Sequence, residues 1–261
     1  MSLILSDFSY AIPDELIAKY PVDPRDASRL LILHRQTGTI KHTHFSDICD
    51  EFKKGDVIVL NDTRVFPCRL ITQRSTGGRQ EILLVYPLST SPRALSLRRR
   101  GRVVQEQWRV LINASGKVKK GAIFDFGGLR IEILTDGGND RDALLEFEGS
   151  LWDALDRIGH IPLPPYINRP DEPIDRTRYQ TVYAHKTGSV AAPTAGLHFT
   201  ESILQRLKKK GVLFEFVTLH VGPGTFLPVR VQKISDHKMH AEFFSISQES
   251  CDIINAAKAE G

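Results

Sequence analysis

The spacing of hydrophobic residues changes along the chain and divides it into three stretches. In the first stretch, residues 57–60 form a short apolar run that is typical of a buried strand. In the last stretch, Thr200 precedes apolar residues at helical spacing that end at Gly211, and a strand is predicted over 212–220. Both outer stretches therefore mix helices and strands, as an α/β domain does.

Prolines and polar residues predict further local features of the outer stretches. Residues 13–19 are predicted to form a short helix, because proline is well tolerated at the first helical position. A second helix is predicted over 151–158, capped by the hydroxyl of Ser150. Residues 168–178 are polar and are predicted to form a surface loop.

The middle stretch, residues 67–149, has short β-rich runs and no helical periodicity. The runs cover residues 81–86, 108–112, 122–126, 129–134 and 143–147. Glycine-rich turns separate them, which indicates a small antiparallel barrel. We therefore predict an α/β domain over 1–66 and 150–261, interrupted by an inserted all-β, barrel-like domain.

Composition narrows the class of protein. The 261 residues are 41% hydrophobic and 25% charged, which is ordinary for a globular protein. No apolar run approaches the roughly 20 residues that a membrane helix needs, and the N-terminus does not resemble a signal peptide. The three cysteines form no CxxC pair, so a disulfide framework and a cysteine zinc ribbon are excluded. We expect a cytoplasmic protein.

Charge is concentrated in the middle of the chain. Residues 61–130 carry 14 basic and four acidic residues, although the whole chain has a net charge of only +4. Six arginines fall within 93–109, and a planar guanidinium fits phosphate well. This block favours binding of a polyanion such as nucleic acid, but a solvated surface remains an equal alternative on charge alone.

Two loops have the small residues that allow a ligand to approach the backbone. The segment 188–200 is crowded with glycine, alanine and serine just before a predicted helix, and it contains His198. The segment 220–226 follows a predicted strand and contains Gly222 and Gly224. It lacks the third glycine of a dinucleotide fingerprint, so neither NAD nor ATP is indicated.

Two further segments carry groups that could take part in catalysis. His237, His240 and Glu242 lie within six residues and could transfer protons, bind zinc or form a plain turn. The run Asn61-Asp62-Thr63-Arg64 follows a predicted strand and could bind a ribose or a base edge, or could simply form a turn with an ion pair.

Taken together, these segments resemble one family. Six segments carry the resemblance: the run Asn61-Asp62-Thr63-Arg64-Val65, the run Pro162-Leu163-Pro164-Pro165-Tyr166, the segment 178–184, the loop 188–200, the segment 219–226 and the segment 237–242. They are similar to the corresponding segments of S-adenosylmethionine:tRNA ribosyltransferase-isomerases of queuosine biosynthesis. The resemblance is most specific over 178–242 and weakest over 71–148. Members of that family usually continue past the point where this chain stops, so we expect it to be C-terminally truncated.

The resemblance implies the reaction and its partners. The ribosyl moiety of S-adenosylmethionine is transferred to 7-aminomethyl-7-deazaguanine at the wobble position of a tRNA with a GUN-type anticodon, and it rearranges to give epoxyqueuosine, adenine and methionine. S-adenosylmethionine is then a co-substrate, and no true cofactor or metal is implied. We expect a monomer that binds tRNA and no membrane.

The chemistry of that reaction assigns expected roles to residues. Proton transfer is expected from a histidine, with carboxylates that orient it or bind ribose; the candidates are His198, His220, His240, Glu242 and Asp62. Residues expected to hold S-adenosylmethionine are Ala192, Pro193, Thr194, Ala195, Gly196, Gly222, Gly224 and Thr225. Residues expected to hold tRNA are Arg64, Arg69, Arg98, Arg99, Arg100 and Arg102.

Two rival functions remain open from sequence. The chain could be a non-catalytic RNA-binding module in which the 237–242 cluster is structural. It could also be a metal-dependent hydrolase that uses His220, His237 and His240. The hypothesis that the chain is an enzyme further requires that the segments 62–69, 188–200, 220–225 and 237–242 fold together around a single cleft.

Overall fold

The computed structural model describes residues 3–73, 77–88, 103–114 and 116–260. The strands are β1 Arg29–His34, β2 Thr39–His44, β3 Val57–Asn61, β4 Thr63–Val65, β5 Arg69–Gln73, β6 Arg79–Pro87, β7 Val103–Ala114, β8 Ile123–Asp125, β9 Leu129–Ile133, β10 Asp140–Glu148, β11 Lys186–Ser189, β12 Leu213–His220 and β13 Phe243–Ile246. The α-helices are α1 Leu151–Ile158, α2 Asp175–Arg178, α3 Glu201–Lys210 and α4 Gln248–Glu260. These residues form two compact units.

The first unit, residues 1–64, 164–187 and 191–261, contains a mixed sheet in the order β13-β12-β3. β12 runs parallel to β3, with Val217 opposite Asn61, and antiparallel to β13, with His220 opposite Phe243. β1 and β2 form a separate antiparallel hairpin. A parallel pair with helices nearby agrees with the mixed character that the sequence predicts.

The core of the first unit lies around α3. Its buried residues are Phe45, Cys49, Phe199, Ile203, Leu207 and Val212. The Thr200 hydroxyl accepts a hydrogen bond from the amide of Ile203, and Gly211 ends the helix with a φ of +86°. The predicted helix and both of its caps are therefore confirmed.

The second unit, residues 65–163 and 188–190, is built on a six-stranded antiparallel sheet. Its order is β5-β6-β7-β10-β9-β8, and the sheet is curled like half of a barrel. Alternate residues of these strands point inward and are fully buried; they include Leu70, Ile82, Leu84, Val110, Ile131, Ile133 and Leu145. The predicted short strands are confirmed, with bounds that differ by a few residues.

Three aromatic rings form an edge-to-face cluster within the second unit. The ring of Phe66 lies 6.1 Å from that of Trp108 and 5.4 Å from that of Trp152, measured between centroids. The two indoles are 6.3 Å apart. The Trp108 Nε1–H donates a 2.8 Å hydrogen bond to Glu106, so the polar edge of this indole also has a partner.

Two local predictions are corrected by the structure. Residues 13–19 do not form the predicted helix; only a single 3₁₀ turn is present, at Asp14–Leu16. Residues 168–178 are not merely a surface loop, because α2 lies within them and the Asp175 side chain is buried. In the part of the chain that the structure describes, no helix is both long and apolar enough to cross a membrane.

Candidate active site at the ends of β3 and β12

The candidate site is built where the parallel strands β3 and β12 end. Parallel strands have their carboxyl ends at the same edge of a sheet, where ligands commonly bind. There the Asn61 side chain continues the strand pairing: its Nδ2 donates to the carbonyl of Leu219 at 2.9 Å, and its Oδ1 accepts from the amide of Leu219 at 3.0 Å. The same Oδ1 accepts from the amide of Thr63. This amide group therefore fixes the residues that follow β3 against β12.

Asp62 is held in a defined orientation at this edge. The hydroxyl of Thr218 donates a 2.7 Å hydrogen bond to Asp62 Oδ1. The backbone carbonyl of Asp62 accepts from the amides of His185 and Lys186 at 2.7 and 3.0 Å. The carboxylate is partly exposed, so it remains available to a neighbouring cation or a ligand.

His220 lies beside Asp62 at the end of β12. Its Nδ1 is 2.8 Å from the hydroxyl oxygen of Thr63, and its ring stacks on that of Phe243 with the centroids 5.4 Å apart. Burial lowers the pKa of His220, although the Asp62 carboxylate opposes this shift. The imidazole is therefore neutral at neutral pH and can accept a proton.

The glycine-rich loop after β12 contacts the 237–242 segment. The amide of Gly222 donates a 2.7 Å hydrogen bond to Glu242 Oε1. A Cβ at Gly224 would lie 2.9 Å from Cδ2 of His240, so the imidazole packs directly on the glycine. The structure thus brings Gly222, Gly224, His240 and Glu242 together, as the candidate site requires.

The small-residue loop meets the same region through its backbone. The amide of Ala191 donates to the carbonyl of Val221 at 3.2 Å. Ala192 and Gly196 are buried, whereas Thr194 and Ala195 are exposed. Part of this loop therefore lies next to the glycine-rich loop and presents backbone to solvent.

His198 has partners of its own. Its Nδ1 lies 3.0 Å from the hydroxyl oxygen of Ser28, and its ring packs against Phe45 with centroids 5.3 Å apart. The guanidinium of Arg25 donates to the carbonyl of Leu197, the preceding residue. These contacts anchor His198 through a different set of residues from those that hold His220.

A metal centre at the histidines finds no support. Among the residues that the structure describes, no group of three or more His, Cys, Asp or Glu side chains is arranged to hold a metal ion. His220 is held by Thr63, and His240 lies on Gly224. The hydrolase alternative, which needs His220, His237 and His240 as ligands, is therefore not supported.

The arginines differ in their surroundings. Arg64 is exposed, whereas the guanidinium of Arg69 forms a 2.9 Å ion pair with Glu81 and is mostly buried. Arg98, Arg99, Arg100 and Arg102 lie outside the described residues. Their role as a tRNA-binding block stays a prediction from sequence.

Sequence reasoning missed several residues that build the site. Thr218 orients Asp62, Thr63 contacts His220, and Phe243 stacks on it. Each of these contacts joins residues far apart in sequence or on different strands. Of these residues, Thr63 has a sequence signal, because it lies inside the run Asn61-Asp62-Thr63-Arg64.

At this strand edge, a neutral histidine lies beside an oriented carboxylate and next to the glycine-rich loop and the small-residue loop. Such an arrangement is typical of an enzyme that transfers protons. A family model described as "Queuosine biosynthesis protein" matches residues 5–261. The chain belongs to this family.

Curated relatives agree with the family match. Proteins named S-adenosylmethionine:tRNA ribosyltransferase-isomerase from Pelobacter propionicus and Acetivibrio thermocellus are 44% and 45% identical over 263 and 262 residues. The relative from Staphylococcus epidermidis is 44% identical over 264 residues. The matches cover 98–99% of this chain and 72% of each of these relatives.

One solved structure is also similar. It is the crystal structure of an S-adenosylmethionine tRNA ribosyltransferase from Thermotoga maritima, which is 29% identical to this chain. The match has a TM-score of 0.40 and covers 98% of this chain and 66% of the Thermotoga maritima chain.

Proposed function

We propose that the chain is a transferase-isomerase that moves the ribosyl moiety of S-adenosylmethionine onto 7-aminomethyl-7-deazaguanine at the wobble position of tRNA. The products are epoxyqueuosine in tRNA, adenine and methionine. Membership of the family and the names of the relatives support this activity. The observation that carries it is the neutral, half-buried His220 beside the Asp62 carboxylate.

The substrate requires a base near neutral pH. The sulfonium of S-adenosylmethionine acidifies the ribose 5′-carbon, and His220 takes a proton from that carbon. The C–H electron pair stays on carbon next to sulfur, and adenine then leaves from C1′ with the pair of the glycosidic bond and gains a proton. The C5′ electron pair forms the bond to C1′ that closes the carbocycle, and the aminomethyl nitrogen bonds to C4′ as the C4′–O bond breaks and then gives up a proton. The released oxygen, still on C1′, attacks C5′ to close the epoxide, and methionine leaves with the electron pair of the C5′–S bond.

Asp62 stabilises His220 after proton transfer. An imidazolium that forms in a half-buried position is costly unless a carboxylate lies nearby. Thr218 holds the Asp62 carboxylate by a hydrogen bond, so little reorganisation accompanies the reaction. His198 and His240 are the remaining candidates for returning a proton to the leaving adenine.

Two loops are proposed to hold S-adenosylmethionine. Residues 192–196 and 222–225 have small side chains, so that backbone amides and carbonyls can reach a polar ligand. The 2.7 Å bond from the Gly222 amide to Glu242 fixes this carboxylate near the glycine-rich loop, where it can bind ribose hydroxyls or orient a histidine.

The arginine-rich stretch is proposed to hold a tRNA with a GUN-type anticodon. The proposed contacts are Arg64, Arg69, Arg98, Arg99, Arg100 and Arg102. We propose that the first unit is an α/β domain, that the second unit is a barrel-like domain inserted into it along the chain, and that the protein is a cytoplasmic monomer. S-adenosylmethionine serves as co-substrate, without a further cofactor.

The central test is release of adenine from S-adenosylmethionine with precursor tRNA. We expect His220→Gln to lower turnover by about 10²-fold or more, because the proton acceptor is removed, while tRNA binding persists. His34→Gln, an exposed histidine at the end of β1, is the matched control. His198→Gln and His240→Gln are compared in the same assay.

The assay also includes the longer Staphylococcus epidermidis relative as a positive reference. Wild-type turnover in His220→Gln would remove His220 as the base. Adenine release by the relative and none by this chain would contradict the proposed activity of the chain.

A further inference from the structure

The hydroxyl of Thr63 is buried between two groups. Its side chain has no solvent exposure, so the hydroxyl depends on protein partners. The oxygen lies 2.8 Å from Nδ1 of His220 and 3.4 Å from the backbone carbonyl of Lys186. A hydroxyl at this position can donate one hydrogen bond and accept others.

The carbonyl decides the direction of both hydrogen bonds. A carbonyl oxygen can only accept, so the hydroxyl proton of Thr63 must go to Lys186 for that contact to be a hydrogen bond. The Thr63 oxygen is then the acceptor, and Nδ1 of His220 must carry a proton that it donates. Only this assignment satisfies both contacts, and it puts the imidazole lone pair on Nε2.

The same arrangement, in which a hydroxyl lies between a histidine Nδ1 and a backbone carbonyl, occurs at a second histidine. The Ser28 hydroxyl donates a 3.0 Å hydrogen bond to the carbonyl of Arg25, and its oxygen lies 3.0 Å from Nδ1 of His198. Histidine, hydroxyl and backbone carbonyl therefore follow in the same order at both places. His198 provides an internal comparison for any measurement on His220.

We propose that Thr63 is a positioning residue that holds the neutral His220 ring as the Nδ1–H tautomer and so makes Nε2 the proton acceptor. The tautomer is a property of the folded chain. Its consequence for turnover rests on the proposed function, in which His220 accepts the proton from the ribose 5′-carbon.

Two substitutions separate the hydroxyl from the shape of the side chain. Thr63→Val keeps the size and the branched Cβ but removes the hydroxyl, whereas Thr63→Ser keeps the hydroxyl. Ser28→Ala removes the corresponding hydroxyl at His198. Circular dichroism checks that each variant is folded.

The tautomer is measured by ¹⁵N–¹H correlation spectra of the labelled chain at a pH where His220 is neutral. His220→Gln assigns the signal. We expect the Nδ1–H form in the wild type and in Thr63→Ser, and a rise of about tenfold in the proportion of the Nε2–H form in Thr63→Val. Ser28→Ala is expected to alter the His198 signal and to leave the His220 tautomer unchanged.

An Nε2–H tautomer in the wild type would overturn the proposal, whether or not Thr63→Val folds. An unchanged His220 tautomer in Thr63→Val would also overturn it.

The second measurement is adenine release. We expect Thr63→Val to lower kcat about tenfold with KM for S-adenosylmethionine unchanged, and Thr63→Ser to restore kcat to within about twofold. A wild-type kcat in Thr63→Val, with the tautomer shifted, would overturn the positioning role.

Failure of the proposed function and failure of the tautomer assignment give different results. A wild-type chain with the Nδ1–H tautomer but no adenine release would contradict the proposed function and support the tautomer assignment. Loss of activity in His220→Gln with an Nε2–H wild type would support the proposed function and overturn the role of Thr63.

Discussion

At the scale of single residues, position 196 requires glycine because neighbouring side chains leave no room for a Cβ. A Cβ at this position would lie 2.2 Å from the hydroxyl oxygen of Tyr183 and 2.9 Å from Cγ2 of Thr181. Burial raises the pKa of Tyr183 to about 12, so the phenol stays protonated at neutral pH. The loop proposed to hold S-adenosylmethionine is thus packed directly on a neutral tyrosine.

Gly196→Ala should therefore destabilise the first unit by about 2 kcal/mol, because the methyl group overpacks this contact. The free energy of unfolding is measured by urea titration with far-UV circular dichroism. Gly222→Ala is the control, since its Cβ would meet Glu242 at 3.5 Å, an ordinary contact. Adding Tyr183→Phe, which removes the hydroxyl, should restore much of the loss. No recovery in the double variant would contradict this explanation.

Asp175 is a second residue whose surroundings set a measurable property. Burial raises the pKa of Asp175. The two hydrogen bonds from Arg169, at 2.7 and 2.8 Å, and the one from the amide of Glu172 lower this pKa by more than burial raises it. The net pKa lies below the ordinary value. The unfolded chain therefore binds a proton first as pH falls, and the native state loses stability.

We expect Asp175→Asn to cost about 3 kcal/mol at pH 7, because Arg169 is left buried without its carboxylate partner. The difference from wild type should shrink as pH falls from about 4 towards the native pKa of Asp175. Urea titrations at several pH values measure both quantities. The exposed Asp14→Asn is the control. A difference that is constant with pH would show that the carboxylate charge is not the cause.

Residue types at the site could be predicted from sequence, but their partners could not. Asp62, His220, Gly222 and Glu242 stand in segments whose composition indicated chemistry, and the structure brings them together. The contact between Thr63 and His220 joins residues 157 positions apart. Nothing in local spacing encodes such a contact, because it depends on the pairing of β12 with β3, the strand that Thr63 follows by two residues.

At the scale of elements, helix α3 could be predicted at both ends because its caps are local. The Thr200 hydroxyl accepts from the Ile203 amide at 3.3 Å, and Gly211 adopts the left-handed φ that ends the helix. Both depend on residue types within one turn of the helix end.

Thr200→Ala should lower the free energy of unfolding by about 1 kcal/mol, since an amide at the helix start loses its acceptor. Thr200→Ser keeps the oxygen and should stay close to wild type. Urea titration with far-UV circular dichroism compares the two variants. Equal stability of the alanine and serine variants would mean that the cap contributes nothing.

The helix predicted over 13–19 shows where local reasoning fails. Leu16, in the 3₁₀ turn that forms instead, is 70% exposed, so no apolar face is buried to stabilise a longer helix. A helix of seven residues is too short to form without such packing. At 168–178, polar composition could not distinguish a surface loop from a buried ion pair between Arg169 and Asp175.

At the scale of the whole molecule, charge is the property that sequence predicts most directly. The excess of basic residues over 61–130 is independent of how the chain folds. We propose that this block binds tRNA; such binding releases counterions from the phosphates, so the affinity falls with salt.

Replacing Arg98, Arg99 and Arg100 together by glutamine should flatten the plot of log affinity for tRNA against log salt by about 2 units. Each lost phosphate contact contributes about 0.7 to 0.9 to this slope. Filter binding at several salt concentrations measures it. Replacing Lys208, Lys209 and Lys210, at the end of α3, is a matched loss of three charges elsewhere. An unchanged slope in the arginine variant would show that the block is a solvated surface.

The aromatic cluster of the second unit provides an intrinsic fluorescence probe of the unfolding of that unit. Its two tryptophans, Trp108 and Trp152, both lie in that unit, and the first unit has none. Indole emission consequently follows denaturation of the second unit alone, whereas ellipticity follows both. One titration recorded with the two probes will show, from the separation of their midpoints, whether the halves melt as a single cooperative block or independently.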